Sequence, residues 1–227
     1  MEASTLKSEI DHIVIGAEQL YKVSSQLECL LGVKLSVGGK HPLMATHNNL
    51  LKLQSNTYIE VIAIDPKASP PSPINGQPRW FSLDTDATKA KLANAGQPLC
   101  WVISVDDIEI AKSTCSYDPG EIIDMTRGSL KWRLTVPKDG SLVEDGVLPS
   151  LIEWPGGRNP ANQMLESGVS LNKLLLFHPN PDKIINILAE LGINGPIEVV
   201  TGKKSLGVNL RISNNKEVLL DEKSLCF

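Results

Sequence analysis

Apolar and polar positions change period several times along the chain, and each change marks an element. Residues 9–17, EIDHIVIGA, form a short apolar run of strand length. Residues 18–31 then put Leu20, Val23, Leu27, Leu30 and Leu31 on one helical face, and Gly32 fits the position just past a helix end. Two extended segments follow, KLSVGG and NNLLKL. A third, NTYIEVIAI, is rich in β-formers and stops at Asp65-Pro66. The same order returns with a strand at LCWVISV (99–105) and a helix that Asp106 or Asp107 caps. This helix is expected to run to about Tyr117, with Gly120 after it. LKWRLTVP (130–137) and SLIEWP (150–155) are the later strands. A third return begins at LNKLLLF (171–177). Asn180-Pro181 reads as an N-cap followed by proline at the first helical position. Ile184, Ile185, Leu188 and Leu191 form that helix's stripe, and IEVVTG, LGVNLRIS and KEVLLD are the final strands.

The repeat has a register. Gly32, Gly120 and Gly192 each stand 20 residues after His12, Cys100 and Asn172. Glu60 follows His12 by 48 residues, and Glu153 follows Cys100 by 53. Element order and spacing together predict an α+β chain of repeated βαβββ modules at about 8–65 and 98–156. A third, diverged and structural module spans 164–227, where Asn172 and Leu220 hold the matching positions. Between the first two lies a linker, 66–97. It contains the proline-rich DPKASPPSPINGQP, then WFSLD and a short amphipathic helix near ATKAKLANAG.

Composition narrows the function classes. Apolar residues make up 41% and charged residues 21%, ordinary globular values. A net charge of -4 with scattered basic residues gives no field for nucleic acid or anionic lipid. Aromatics at 4% make no stacking platform for single strands. No stretch approaches the ~18 apolar residues of a membrane span, and the start lacks the apolar segment of a signal peptide. Four cysteines without paired spacing read as free thiols of a cytoplasmic protein.

Asp11-His12, Gly38-Gly39-Lys40-His41-Pro42, the segment Ala45 to Leu51 and Tyr58-Ile59-Glu60 together resemble the glyoxalase-like domain family of the vicinal oxygen chelate superfamily. Arg127, Trp132-Arg133 and Ile152-Glu153-Trp154 resemble its later motifs. Ala45 stands where the family usually has glycine, and Asn159-Pro160 where a histidine-proline pair often follows. The resemblance covers roughly residues 9–163. It implies βαβββ modules forming curved mixed sheets around a cup. Ligands for one divalent metal (Zn, Mn, Fe, Ni or Co) would come from the first and fourth strands: His12, Glu60 and Glu153, with Cys100 at the second module's equivalent of His12. No nucleotide cofactor is expected. The implied function is a metal-dependent lyase, isomerase or dioxygenase acting on a small oxygenated metabolite. The alternative is a metal-free small-molecule-binding protein of the same fold, and a scaffold with a decayed site is a third reading. A homodimer is an open expectation.

The residues carry their own argument. Alternation places Ile10, His12 and Val14 on one strand face, and Tyr58, Glu60 and Ile62 on another. A carboxylate among such neighbours must be paired, hydrogen-bonded or metal-bound. Glu60 and Glu153 are therefore the candidate catalytic groups, either as ligands or as a general base, or else structural partners of Arg127 and Arg133. His12 is a ligand or a core histidine. His41, Asn48, Arg127 and Arg133 are the candidate substrate-binding residues, with turn closure or ion pairing as their structural alternative. Cys100, Trp132 and Trp154 read as packing, and His47 and His178 as surface or loop positions.

Overall fold

The structure, a computed structural model, describes residues 7–68 and 78–226. The proline-rich core of the linker, residues 69–77, lies outside the described residues. The first module runs β1 (Ser8–Gly16), α1 (Leu20–Leu31), β2 (Ser36–His41), β3 (Thr46–Lys52) and β4 (Tyr58–Ile64). After α2 (Asp86–Leu92), the second runs β5 (Ala95–Val105), α3 (Ile108–Thr114), β6 (Glu121–Arg127), β7 (Leu130–Val136) and β8 (Ser150–Glu153). In each, the first and fourth strands pair in parallel. Antiparallel pairing of β1 with β5 fuses the two into a curled half-barrel of order β2-β3-β4-β1-β5-β8-β7-β6. This is the expected α+β architecture of curved sheets around a cup.

The chain beyond residue 164 gives β9 (Ser170–His178), α4 (Pro181–Glu190), β10 (Ile193–Asn194), β11 (Ile197–Thr201), β12 (Ser205–Arg211), β13 (Glu217–Leu220) and β14 (Leu225–Cys226). Its four-stranded sheet has the order β11-β9-β12-β13, which places the first strand centrally rather than beside the last. Two short strands stitch this unit to the barrel: β10 pairs with β1, and β14 with β5.

Apolar alternation divides the core in two. Ile13, Ile15, Ile59, Val61, Ile103 and Leu151 pack on the convex side with Val23 and Leu27 of α1, Ile108 of α3 and Ile184 of α4. Val14, Ile62, Val102, Trp132, Leu134 and Ile152 face the cup. Ile10 joins the convex core instead of sharing the face of His12 and Val14. The cause is a β-bulge: the β1–β5 register shifts between Ile10 and His12, leaving Asp11 as the extra residue.

Helix ends follow local chemistry. The Asn180 side chain caps α4 with Pro181 behind it, and Asp107 caps α3. Gly32 adopts the left-handed conformation (φ 70°) that closes α1. The second helix stops at Thr114 rather than near Tyr117, because Cys115 is extended and Asp118 precedes a proline. Gly120 therefore serves another need. At φ 103° it lies against β7, where an added Cβ would come within 2.2 Å of the backbone at Val136 and Pro137. On α4, Ile184, Leu188 and Leu191 pack on the core as expected, while Ile185 is 48% exposed and Ile187 is buried in its stead. Strand β6 has no counterpart among the strands the pattern predicts, although EIIDMTR has the β-branched character of an edge strand.

Gly120→Ala should lower thermal stability sharply, since it combines a disfavoured φ with a backbone clash. A loss of about 2–4 kcal/mol in denaturant melts is expected. A loss below about 0.5 kcal/mol would show that the loop relaxes without cost.

Candidate functional site

The bulge at Asp11 builds the site's first contact. Its carboxylate, 0% exposed, places Oδ1 2.6 Å from His12 Nδ1. A carboxylate only accepts, so Nδ1 carries the proton and His12 Nε2 is left facing the cup. The other oxygen, Oδ2, accepts from Trp154 Nε1 at 2.8 Å and Asn159 Nδ2 at 2.6 Å. Asn159 thus answers the missing histidine with an amide that ties the chain after β8 to β1. Tyr58 stacks on the His12 ring at 4.7 Å. Its hydroxyl is pushed well above the usual range, mainly by burial and further by the Asp11 and Glu60 carboxylates.

Glu60 enters from β4, 6% exposed. Its Oε1 accepts from Asn48 Nδ2 at 2.5 Å, and its Oε2 lies 3.6 Å from His12 Nε2. Asn48 in turn accepts from Gly39 N (2.7 Å) and from Arg127 Nη1 (3.4 Å) on Oδ1. The two glycines of the turn allow this approach. An added Cβ would come within 2.0 Å of Asn48 Oδ1 at Gly38, and within 2.6 Å of Arg127 Cδ at Gly39. Ala45, replacing the usual glycine, still adopts φ 49°.

His41 completes the polar wall. Its Nδ1 meets Thr46 Oγ1 at 3.1 Å, while Nε2 faces two donors, Arg127 Nη1 at 3.4 Å and Asn48 Nδ2 at 3.5 Å. That geometry fits a neutral ring. Burial lowers His41 to about 4, only partly opposed by Glu60.

The other expected residues lie elsewhere. Glu60 pairs with Val14, two residues past His12; two past Cys100 is Val102, whose partner is Ser150. Glu153, three residues on, takes the opposite face. Its Oε2 accepts from Ile108 N at the start of α3 and pairs with Arg133 at 3.4 Å. Arg133 also bonds Glu109 and reaches Asp124, all on the outer surface. Arg127 ends β6 and Arg133 lies on β7, joined by a hairpin at Gly128, which breaks the parity of a single strand. Cys100 sits in the cup's apolar cluster, its thiol raised by burial. His47 is half-buried on β3. His178, expected at a surface or loop position, ends β9, is 4% exposed and meets Glu144.

A divalent metal would find few donors. Glu153 and Cys100 do not reach His12, and His41 Nε2 already faces a guanidinium. Among the described residues of the cup, His12 Nε2 and Glu60 Oε2 are the two donor atoms left for an ion, against the three protein ligands of a catalytic centre. Among the described residues, no group of three or more His, Cys, Asp or Glu could hold a metal ion. The residues do not fit the expected ligand set.

Trp80 and Phe81, read from sequence as linker, are buried and stack at 5.1 Å over the cup. Beneath them remains a void of about 30 Å³ lined by His12, His41, Asn48, Glu60 and Arg127, among others. That is room for one or two waters. A wider groove of about 670 Å³ runs between the barrel and the C-terminal unit. Its one buried carboxylate is Asp11, with both oxygens engaged, so the convergent chemistry belongs to the cup.

The family model of a glyoxalase-like domain matches residues 10–192. The chain belongs to this family. Through it the protein is a member of the vicinal oxygen chelate superfamily. No curated protein matches the chain. Among solved structures, a hypothetical protein from Staphylococcus aureus is similar at 17% identity and TM-score 0.55, over 97% of this chain and 88% of that one. That likeness extends the shared fold through the C-terminal unit. Methylmalonyl-CoA epimerase from Mycobacterium tuberculosis has 18% identity and TM-score 0.42, over 67% and 92%. A xylose isomerase-like TIM barrel/4-hydroxyphenylpyruvate dioxygenase fusion protein has 13% identity and TM-score 0.44, over 94% and 32%. No helix among the described residues of this glyoxalase-like protein is long and apolar enough to cross a membrane.

Two outcomes test the site's construction. Asp11→Ala strips an acceptor from His12, Trp154 and Asn159 and should cost about 3–5 kcal/mol in denaturant melts; a loss under about 1 kcal/mol would refute the tie. His41 is held near 4 in the fold, against about 6.5 when unfolded. The unfolded chain thus binds the extra proton between those values. This contribution is complete above about pH 6.5 and is lost as pH falls toward 4, roughly 3 kcal/mol in all. His41→Gln should flatten the acid side of the stability–pH curve, and an unchanged slope would contradict it.

Proposed function

We propose that the cup of this glyoxalase-like protein binds a small oxygenated metabolite and moves a proton on it, as an isomerase or lyase does. The observation that carries the reading is an imidazole and a carboxylate that border one space. His12 Nε2 and Glu60 Oε2 are 3.6 Å apart, too far for a direct hydrogen bond, and each belongs to a group pinned through its other atom. Both atoms border the same small void, so an acidic C–H or O–H of a ligand seated there meets the pair from one side. Glu60 is the base and His12 the group that accepts or returns the proton. Arg127 and Asn48 hold the carbonyl or anionic oxygen beside it. Because the donor set does not fit a metal, this chemistry rests on side chains alone. Glu153 and Arg133 lie outside it, and residues 164–227 serve as structural support.

The metal-free binding protein is the second reading, and the closed aromatic cover favours it. Exchange of solvent deuterium into small carbonyl acids, followed by NMR, separates the two. Glu60→Gln should reduce exchange by about 10²–10⁴-fold while the protein stays folded. No exchange by the wild type with any acid it binds leaves binding as the function. Elemental analysis of protein purified without chelator should show no stoichiometric divalent metal; a stoichiometric ion lost in His12→Ala would overturn the metal-free assignment.

A further inference from the structure

The segment Pro78–Asp84 does more than connect modules. Trp80 and Phe81 line two voids at once. One is the void of about 30 Å³ beside His12 and Glu60. The other, of about 10 Å³, lies beside Cys100, Thr135 and Ser150 of the second module. The aromatic pair therefore separates the two voids. With it displaced, both voids and the volume of two large aromatic side chains would form one cavity. The void that remains is far below the ~300–1,000 Å³ typical of ligand sites.

The closed arrangement stores unmet needs. Phe81 (φ 58°) and Ser82 (φ 55°) both occupy the left-handed region, which bulky residues avoid. Trp80 Nε1 and Arg79 Nε are buried without hydrogen-bond partners among the described residues. The base of the segment is held by different contacts. Arg79 Nη1 bonds Asp84 Oδ1 at 2.5 Å, and Ser82 N donates to Gly140 O at 2.7 Å. The anchors are polar and at the rim, while the inserted tip is aromatic and strained.

We propose that Trp80 and Phe81 occupy the apolar subsite of the ligand and yield it on binding; this rests on the reading of the cup as a small-molecule site. The subsite's chemistry follows from its walls. Val14, Ile62, Val102, Trp132, Leu134 and Ile152 are apolar and now pack around aromatic rings. At the polar end stands Arg127, whose guanidinium meets two neutral acceptors, His41 Nε2 and Asn48 Oδ1. The ligand class is a compact aromatic or branched aliphatic body bearing a carboxylate or carbonyl head.

Calorimetric titration with phenylacetate and acetate tests this on the full chain. The wild type should bind phenylacetate more tightly than acetate. Removing the plug with Trp80→Ala and Phe81→Ala together should tighten phenylacetate binding at least tenfold, because the competing side chains are gone. Should that variant fail to fold, Asp84→Ala frees the segment's base without opening a cavity, and it should tighten binding severalfold. Arg127→Ala should weaken binding at least tenfold in either background. If phenylacetate binds through Arg127 but the folded plug variants bind it no better, the subsite assignment fails while the cup's function stands. If binding ignores Arg127, or phenylacetate and acetate bind alike, the head-and-body assignment is overturned. If no variant binds either acid, both readings fall.

Discussion

One buried carboxylate holds the site together. Asp11 is the extra residue of a bulge, and that single insertion has three consequences. It turns Ile10 toward the helices and His12 toward the cup, so the strand serves two cores. It aims a carboxylate along its own strand at His12 Nδ1, which fixes the tautomer and leaves the other nitrogen free for chemistry. It also draws Trp154 and Asn159 in from the far side of β8, fastening the second module to the first strand of the first. A regular strand would satisfy none of these, since Asp11 would then point to the convex apolar core and be buried without partners at a prohibitive cost.

The two modules share a fold but not a chemistry. Where the first places Glu60, the second places Ser150; where the first places His12, the second has a buried thiol. The second module's glutamate faces outward and serves α3 and Arg133. Its contribution to the cup is mainly shape, through Trp132, Leu134 and Ile152, together with the cation of Arg127. The C-terminal unit contributes no lining residue to the cup among those described. It grips the barrel through Glu144, whose carboxyl Lys183, Lys204 and His178 hold down to about 2.

Periodicity made the strand and helix order legible, because each element packs one face against a continuous core. The motif residues His12, His41, Asn48, Glu60 and Arg127 do come together. Two kinds of error had physical causes. Alternation assumes an unbroken strand, and the bulge at Asp11 and the hairpin at Gly128 both break it. Counting along the chain matched Glu153 to Glu60, yet lengths between strands vary, and one odd residue of offset reverses a face. Trp80 and Phe81 escaped because they lie in a segment with no period at all. Their signal was two adjacent aromatics in a chain poor in them, which need burial wherever they sit. Asn159 was visible only as a departure from a pattern, since an amide at that position shows its role only beside Asp11.

The arrangement of Asn48 explains how opposite charges share so small a space without cancelling. Glu60 and Arg127 both reach the cup, and a direct pair between them would neutralise both and close the site to ligands. Asn48 stands between. Its amide nitrogen donates to Glu60, and its oxygen accepts from Arg127 and from Gly39 N. A neutral amide has one donor end and one acceptor end, so it can satisfy a carboxylate and a guanidinium at once. His41 repeats the device on the other side: held neutral by burial, it offers a lone pair to Arg127 and adds no second cation. The aromatic cover then keeps water from screening what remains. A carboxylate and a cation are thereby held apart in one low-dielectric pocket, which is the condition the proposed proton transfer requires: a carbonyl oxygen at Arg127 to acidify the carbon beside it, and Glu60 to receive the proton.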